Sequence, residues 1–393
     1  MQTILEISTF LFLNPYFGVK RIRRIKMKFF DENLTLSGDW IQLAQNILKQ
    51  YPKVMVLGKT DTGKTSFIRA IGYYLIKRNK TIGIIDADIG QSTIGLPGTI
   101  GMQILEYQDL QRSFAPEEEI FFVGTISPVK CIEKFIEGID RLFQICQHKQ
   151  AEIILIDTTG LVIGQLGKYL KCMLINKVQP SCLVALQFGS ELEPILKEFE
   201  DSSLIDIYRF KPCSEIKSKS WRERKNRRQG KFQEYFKNLK LSDFNLFEIP
   251  LIGSCYNEKN ILSEDKVLLF NQKYFLDVLS VEIQDNKAVL IVENPQGSLK
   301  SDLFSEIKEH LKVERIVIIP PTWFDNILVS FKNKQGLSDG LGIVYNINFK
   351  QKKLRAYIRK DTKLNSIEQI ELGQIKVKPG GIELPYLEPE AID

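Results

Sequence analysis

The chain has few residues of the kinds that histidine-based or metal-cluster sites require. It has two histidines, His148 and His310, and its six cysteines include no Cys-x-x-Cys pair. The histidines lie far apart, with no spaced cysteine or carboxylate beside them, which argues against a histidine-based catalytic device. Because several cysteines lie inside apolar runs, we expect them to be reduced core residues of a cytoplasmic protein.

Long apolar runs are also scarce. The N-terminal candidate is interrupted by Glu6 and by Asn14-Pro15, so it falls short of the roughly 18 residues that a membrane span needs. Its charges follow the apolar part, which is the wrong order for a secretory signal. With 54 basic and 48 acidic residues, the net charge of +6 permits a polyanionic partner without requiring one. The scarcity of long apolar runs predicts no membrane partner. A length of 393 residues predicts two or three domains.

Residues 58–65 read GKTDTGKT and match the phosphate-binding loop pattern. They follow the apolar run Val54–Leu57, which predicts a buried strand, and they precede an amphipathic helix. Flexible glycines let backbone N–H groups face phosphates, Lys64 can neutralise the β and γ oxygens, and the Thr65 hydroxyl can reach Mg²⁺. The residues predicted to bind ATP are Gly58, Lys59, Thr60, Asp61, Thr62, Gly63, Lys64, Thr65 and Ser66.

Strand and helix patterns alternate over the first part of the chain, which is typical of a parallel sheet with crossover helices. The predicted strands are 54–57, 81–86, 153–157 and 182–186. The fold class is therefore expected to be α/β, a P-loop NTPase domain with a mostly parallel sheet over residues 39–240. A smaller, mostly β domain is expected over residues 241–393.

The C-terminal region predicts two β-hairpins and one helix. The hairpins pair 274–284 with 288–292 and 341–349 with 354–358, and the helix covers 303–311. The N-terminal segment, residues 1–38, stays open. Its basic stretch 19–28 could contact phosphates, and Met27 could equally be the natural start of the chain.

Acidic residues follow two of the predicted strands. The second strand continues as Asp86-Ala87-Asp88-Ile89-Gly90-Gln91, and the third ends in Asp157-Thr158-Thr159-Gly160. Because the carboxyl ends of parallel strands meet at one edge, these carboxylates should lie beside the phosphate loop. Each could hold Mg²⁺, accept a proton from an attacking hydroxyl, or cap the next helix. The candidate metal ligands are Thr65, Asp86, Asp88 and Asp157.

Four segments in order, GKTDTGKTS, DADIGQSTIGLPG, FFVGTISPV and IDTTGLVIGQLG, resemble the polynucleotide 5′-hydroxyl kinase family. Its members phosphorylate RNA or DNA 5′ ends in tRNA splicing, pre-mRNA cleavage and ribosomal RNA processing, and they include similarly organised archaeal proteins. The resemblance covers most of residues 39–240. It implies that Lys64 and Thr65 bind phosphate and Mg²⁺, and that Asp88 deprotonates the 5′-hydroxyl. Asp86 and Asp157 are alternative bases.

The resemblance also indicates an acceptor side. Thr125 and Ser127 match a family loop that lines the acceptor, and Gln91 is a candidate substrate contact. Many relatives carry a tryptophan after the DTxG turn, where this chain has Leu161, so the substrate preference stays open.

A basic helix is predicted over residues 217–236. It carries Arg224 and Arg228 four residues apart, a like-charge pair that costs roughly 0.2–0.5 kcal/mol unless an anion lies between them. In the family, the corresponding region is a mobile lid whose arginines close over the transferring phosphoryl group, which implies catalytic roles for both. The run could equally be a solvated basic face. Trp221 could stack on an unpaired base or dock the helix onto the core.

These features together predict an ATP- and Mg²⁺-dependent polynucleotide 5′-hydroxyl kinase of RNA processing, acting on RNA, with DNA ends left open. Its predicted partners are nucleic acid 5′ ends, and protein partners are unknown. One alternative is a dimerising P-loop switch ATPase, because Lys59 matches the extra lysine of such loops, although Thr60-Asp61 replaces their glycine pair. Another is a scaffold that binds ATP without transferring phosphate.

Overall fold

The structure, a computed structural model, describes residues 38–393 apart from 111–117, 213–217, 254–255, 258–259, 285, 294–300, 363, 365–366, 390 and 393. The predictions for residues 1–37 and for the beginning of the basic run at Lys217 lie outside these residues. Among the helices in the described ranges, none combines the length and the apolar character that crossing a bilayer requires.

The first sheet is built by the N-terminal half of the described chain. Its strands are β1 (Lys53–Gly58), β2 (Ile82–Asp86), β3 (Thr99–Leu105), β4 (Glu118–Phe122), β5 (Ile153–Asp157), β6 (Cys182–Leu186) and β7 (Asp206–Phe210). They lie in the order β4-β3-β2-β5-β1-β6-β7, parallel from β2 to β7, with β3 and β4 antiparallel at one edge. The mostly parallel sheet and its four predicted strands are confirmed.

Helices cover both faces of this sheet. They are α1 (Gly38–Gln50), α2 (Lys64–Ile76), α3 (Ile132–His148), α4 (Gly164–Val178), α5 (Glu193–Leu196) and α6 (Trp221–Tyr235). Successive strand residues point to opposite faces. Val54 and Val56 therefore pack in the core with α1 and α2, whereas Met55 and Leu57 pack in the core with α3 and α4. This two-sided burial explains why the strands are apolar along their whole length.

Over its described residues, the C-terminal half adds two more sheets and two α-helices. Its strands are β8 (Leu239–Asn245), β9 (Leu251–Gly253), β10 (Val278–Gln284), β11 (Lys287–Val292), β12 (Arg315–Ile319), β13 (Ile327–Lys332), β14 (Ser338–Asn348), β15 (Lys353–Arg359), β16 (Gln369–Lys378), β17 (Ile382–Leu384) and β18 (Ala391–Ile392), and its helices are α7 (Glu264–Tyr274) and α8 (Ser301–Leu311). The second sheet has the order β10-β11-β12-β18, and the third has β17-β16-β13-β14-β15-β8, with β9 also paired to β16.

Both predicted hairpins are present, because β10 pairs with β11 and β14 pairs with β15 in antiparallel fashion. The helix predicted over 303–311 is α8. The strand predicted over 274–284 begins at Val278, so its predicted start at Tyr274 was wrong. Phe270 and Tyr274 are four residues apart, which suits a helix, and their rings pack 4.8 Å apart at the end of α7. The predicted boundary at residue 240 stays a prediction, and the third sheet begins at Leu239.

The third sheet packs against the first sheet and α6 through a shared apolar cluster. The buried members of this cluster are Leu96, Phe122, Phe232, Phe236, Leu328, Leu341, Ile343, Ile375 and Val377. Beside it, the Glu371 carboxylate of β16 forms ion pairs with Lys134 of α3 and with Lys332 of β13, the latter at 2.5 Å. Burial lowers the pKa of Lys134, and the Glu371 charge opposes that shift. One buried carboxylate therefore compensates two ammonium groups at this contact.

Replacing Glu371 with Gln should lower the free energy of unfolding by about 3–5 kcal/mol, because the buried Lys332 and the half-buried Lys134 would lose their shared counter-charge. Urea denaturation followed by circular dichroism measures the change. A suitable control is Asp243→Asn, which weakens the exposed contacts to Lys353 and Arg355, each at 2.7 Å, and should cost less than about 1 kcal/mol. Equal losses for the two variants would contradict the compensating role.

Candidate functional site

The loop between β1 and α2 has the shape of a phosphate cradle. Gly63 adopts φ 90°, in the left-handed region, so the chain turns sharply into α2. A side chain at Gly58 would collide with Thr62 Oγ1 and the Leu186 carbonyl oxygen. Thr62 is buried and donates to the Lys59 carbonyl at 2.9 Å, whereas Ser66 is exposed. The backbone can therefore wrap closely around a ligand here.

Lys64 and Thr65 open α2 and face the end of β5. The buried Lys64 ammonium donates to the Lys59 carbonyl oxygen at 2.7 Å, and burial lowers its pKa against the opposing charges of Asp157 and Asp88. Thr65 Oγ1 donates to Asp157 Oδ2 at 2.6 Å. The other oxygen, Asp157 Oδ1, is buried with no hydrogen-bond partner among the described residues. This arrangement leaves a free carboxylate oxygen next to the loop.

The carboxylates at the ends of β2 and β5 are register partners, because Asp86 pairs with Asp157 across the two strands. Burial raises the pKa of Asp157, and the neighbouring Asp86 charge adds to the rise. Asp86 accepts from the Asp88 amide at 3.0 Å, from the Thr93 hydroxyl at 2.7 Å and amide, and from the Ile94 amide at 3.0 Å. These bonds favour a role for Asp86 in holding the loop that follows β2.

Asp88 lies on that loop, two residues beyond the strand. Burial raises its pKa, the Asp86 charge raises it further, and Lys64 opposes both effects. One of its oxygens, Oδ1, accepts a long hydrogen bond of 3.3 Å from the Gln91 amide, and the Gly90 amide also interacts with the carboxylate. Asp88 is thus a half-buried carboxylate with an increased affinity for a proton, close to the lysine of the phosphate loop.

The predicted acceptor loop lies beside the loop after β2. A side chain at Gly90 would come within 3.3 Å of the Ile126 carbonyl oxygen, so the two loops touch. Thr125 is buried and accepts from the Ser127 amide at 3.3 Å. Gln91 donates through Nε2 to the carbonyl oxygens of Gly90, at 2.7 Å, and Arg224, at 3.2 Å. The structure thus places Gln91 on one of two touching loops, and Thr125 and Ser127 on the other.

Helix α6 crosses the same edge of the sheet. Ser220 caps it and forms a capping box with Glu223. Arg224 Nη2 donates to Asp61 Oδ2 of the phosphate loop at 2.8 Å, so this arginine is at the site. Trp221 is 71% exposed, with Lys225 Nζ 5.3 Å from its ring centroid, and it does not dock the helix onto the core.

Arg228 points to a different part of the molecule. Its guanidinium is buried and makes two hydrogen bonds of 2.9 Å each to the Glu383 carboxylate of β17. The predicted anion between Arg224 and Arg228 is therefore replaced by a separate carboxylate for each arginine. This pairing favours an anchoring role for Arg228 and leaves Arg224 as the arginine next to the phosphate loop.

Lys171 of α4 is a residue that the sequence reasoning missed. Its side chain is fully buried, and Nζ donates to the Thr159 carbonyl oxygen at 2.7 Å and to Thr159 Oγ1 at 3.3 Å. Burial, followed by the nearby Lys64 charge, lowers its pKa to about 7. The next residue, Gly160, packs so closely on Thr60 that a side chain would collide with it. The sequence signal that could have identified Lys171 was its charge at a position on the apolar face of α4.

Comparison with known proteins places this site in a family. Residues 58–238 match the family model described as the P-loop of the mRNA cleavage and polyadenylation factor CLP1. A polyribonucleotide 5′-hydroxyl-kinase of Pyrococcus abyssi is 31% identical over 346 residues, covering 88% of this chain and 93% of the relative. The protein of the same description from Methanocaldococcus jannaschii is 28% identical over 341 residues, covering 86% and 91%.

Solved structures support the fold. Clp1p in the wild-type Clp1p–Pcf11p complex superimposes with a TM-score of 0.56 at 14% identity, covering 86% of this chain and 79% of Clp1p. At this identity the likeness concerns the fold alone.

Replacing Lys171 with Met should weaken ATP binding roughly tenfold, because the turn at Thr159 would lose its buried hydrogen-bond donor and shift against the phosphate loop. Isothermal titration with a slowly hydrolysed ATP analogue measures the affinity. Lys168→Met on the same helix removes only an exposed 2.6 Å ion pair with Glu198 and serves as the control. Wild-type affinity in the Lys171 variant would contradict this role.

Proposed function

We propose that this chain, which belongs to the family of polyribonucleotide 5′-hydroxyl-kinases, transfers the γ-phosphate of ATP to the 5′-hydroxyl end of RNA. The observation that carries the proposal is the position of Asp88. Burial raises the pKa of its carboxylate, the nearby Lys64 charge opposes that shift, and the loop that carries Asp88 touches the loop of Thr125 and Ser127 at Gly90. A hydroxyl seated there would have a base on one side and the triphosphate on the other.

In the proposed reaction, the 5′ oxygen forms a bond to the γ-phosphorus while the bond from that phosphorus to the β,γ-bridging oxygen breaks. The hydroxyl proton passes to Asp88, and ADP leaves. A raised pKa makes Asp88 a better proton acceptor than an exposed carboxylate. Lys64 now donates to the Lys59 carbonyl, and a phosphate oxygen would be a stronger, charged acceptor for the same ammonium.

The residues present fit Mg²⁺ as well as ATP. Thr65 Oγ1 and Asp157 offer hard oxygen donors, and Asp157 Oδ1 lacks a hydrogen-bond partner among the described residues. In the part of the chain that the structure describes, there is no group of three or more metal-ligating side chains. That agrees with a metal that takes one or two carboxylates and completes its shell with phosphates and water. When bound, Mg²⁺ would neutralise charge on the β and γ oxygens.

Arg224 is the proposed cation that meets the transferring phosphoryl group. Its guanidinium reaches Asp61 of the phosphate loop, and its Nε is buried without a hydrogen-bond partner among the described residues. A planar guanidinium with free N–H donors suits the equatorial oxygens of the phosphoryl group. Trp221, Gln91, Thr125 and Ser127 remain proposed contacts to the acceptor strand.

Two other functions have less support. A dimerising switch ATPase would use Lys59 across a subunit interface, whereas Lys59 Nζ lies 3.9 Å from Glu191 Oε1 of the same chain. A silent scaffold would not need the set of Lys64, Asp88 and Arg224 around one phosphate loop. We also propose a cytoplasmic location. The four cysteines in the described residues are free thiols, as expected in a reducing compartment.

The proposed activity is tested with γ-labelled ATP, Mg²⁺ and a 5′-hydroxyl RNA oligonucleotide. Label should appear on the RNA, and an oligonucleotide that already bears a 5′-phosphate should stay unlabelled, because it offers no attacking hydroxyl. A matching DNA oligonucleotide measures the preference between the two acceptors. Free phosphate that rises with protein concentration, without labelled RNA, would instead support the switch ATPase, and neither product would support the scaffold.

Asp88→Asn should reduce transfer to RNA by about 10²–10⁴-fold while ATP affinity stays within a few fold, because the amide cannot accept the proton. Single-turnover transfer and ATP titration measure the two quantities. Asp201→Asn, at an exposed position after α5, is the control. A collapse of ATP binding in the Asp88 variant would make Asp88 mainly a metal ligand.

A further inference from the structure

We infer that Asp61 is a positioning residue, which holds Arg224 of α6 over the phosphate loop before the nucleotide binds. The inference rests on the proposed function, because it assigns Arg224 to the phosphoryl group. Asp61 Oδ2 accepts two hydrogen bonds from the α6 region, from the Lys219 amide at 2.9 Å and from Arg224 Nη2 at 2.8 Å. One carboxylate oxygen thus holds both the entry to the helix and its first-turn arginine.

The location of Asp61 makes a carboxylate costly unless it has such a role. It lies at the tip of a loop whose N–H groups and lysine are suited to a polyanion, and a negative charge there would repel the triphosphate. Its backbone φ of 60° is in the left-handed region, which an aspartate tolerates better than most residues. The Arg224 charge neutralises the carboxylate. The Asp61 side chain is 12% exposed and the Arg224 side chain 31%.

Arg224 also contacts the acceptor side of the site. Its carbonyl oxygen accepts from Gln91 Nε2 at 3.2 Å, and Gln91 belongs to the loop that carries Asp88. Its side chain therefore joins the phosphate loop, while its main chain joins the loop after β2. Asp61 uses one of the five N–H donors of the guanidinium through Nη2, and Nε remains without a partner among the described residues. The pair holds the Nη2 end of the guanidinium at the phosphate loop and leaves donors available for phosphoryl oxygens.

The two ends of α6 depend on different contacts. The C-terminal half of α6 is fixed by the Arg228–Glu383 pair and by burial of Phe232. Phe236, just beyond the helix, is buried as well. The first turn exposes Trp221, and the adjoining residues 222 and 223 are exposed as well. The Asp61 contacts are therefore the main link from the first turn to the phosphate loop. Losing them should loosen the first turn without releasing the helix.

The test compares Asp61→Ala, Arg224→Ala and the double variant in the full chain. If Asp61 acts through Arg224, Asp61→Ala should lower kcat by about tenfold or more, while KM for ATP changes by less than about threefold. The double variant should be within about threefold of Arg224→Ala, because residues that act as a unit are not additive. Asp61→Asn, which keeps an oxygen to accept from the Lys219 amide, should be intermediate.

A second measurement is independent of catalysis. Without nucleotide, hydrogen exchange over residues 219–226 should be faster in Asp61→Ala than in the wild-type chain, and exchange over residues 231–236 should be unchanged. Asp243→Ala is the matched control, since it removes an aspartate bonded to Arg355 and Lys353 on the third sheet and should alter neither kcat nor exchange near α6.

Three results would overturn the inference: an unchanged kcat in Asp61→Ala, multiplicative losses in the double variant, or unchanged exchange over the first turn. A rise in KM for ATP with kcat retained would instead make Asp61 a simple nucleotide contact. If the wild-type chain transfers no phosphate to RNA, the proposed function fails, and the exchange measurement still decides whether Asp61 holds the helix.

Discussion

The pairing of β2 with β5 is the constraint on which the rest of the site depends. Parallel register places Asp86 directly beside Asp157, so two carboxylates share a buried edge of the sheet. Their repulsion is offset locally, by Lys64 next to Asp157 and by the hydrogen bonds that Asp86 accepts from the following loop. That loop is thereby held in one conformation. It carries Asp88 towards the phosphate loop, where the proposed transfer of a phosphoryl group from ATP would take place.

The second requirement is a cationic helix held from both sides. Two arginines of α6 are each paired with a carboxylate, Arg224 with Asp61 and Arg228 with Glu383. The first pair belongs to the nucleotide side and the second to the C-terminal sheet. The helix also packs its aromatic side chains into the cluster between the first and third sheets. The C-terminal half of the chain therefore helps to position Arg224, even though its described strands carry none of the proposed reacting groups.

Local patterns made much of the first domain predictable from sequence. The phosphate loop, its strand and its helix are contiguous, and the acidic strand ends follow runs that are apolar on both faces. The antiparallel edge of β3 and β4 and the helix α7 were not predicted, because short apolar runs suit either element. Lys171 was missed since burial of a lysine depends on packing. The partners of Arg228 and Asp61 lie 155 and 163 residues away, and no local pattern encodes such contacts.

The central claim is that a terminal hydroxyl of RNA sits between Asp88 and the γ-phosphate. The most direct measurement is a crystal structure with a slowly hydrolysed ATP analogue, Mg²⁺ and a 5′-hydroxyl dinucleotide. The account predicts an Asp88 carboxylate oxygen within about 2.6–3.2 Å of the 5′ oxygen, with that oxygen in line with the γ-phosphorus. A 5′ oxygen bonded instead to Asp86 or Asp157, or a cavity filled by a second copy of the chain, would contradict it.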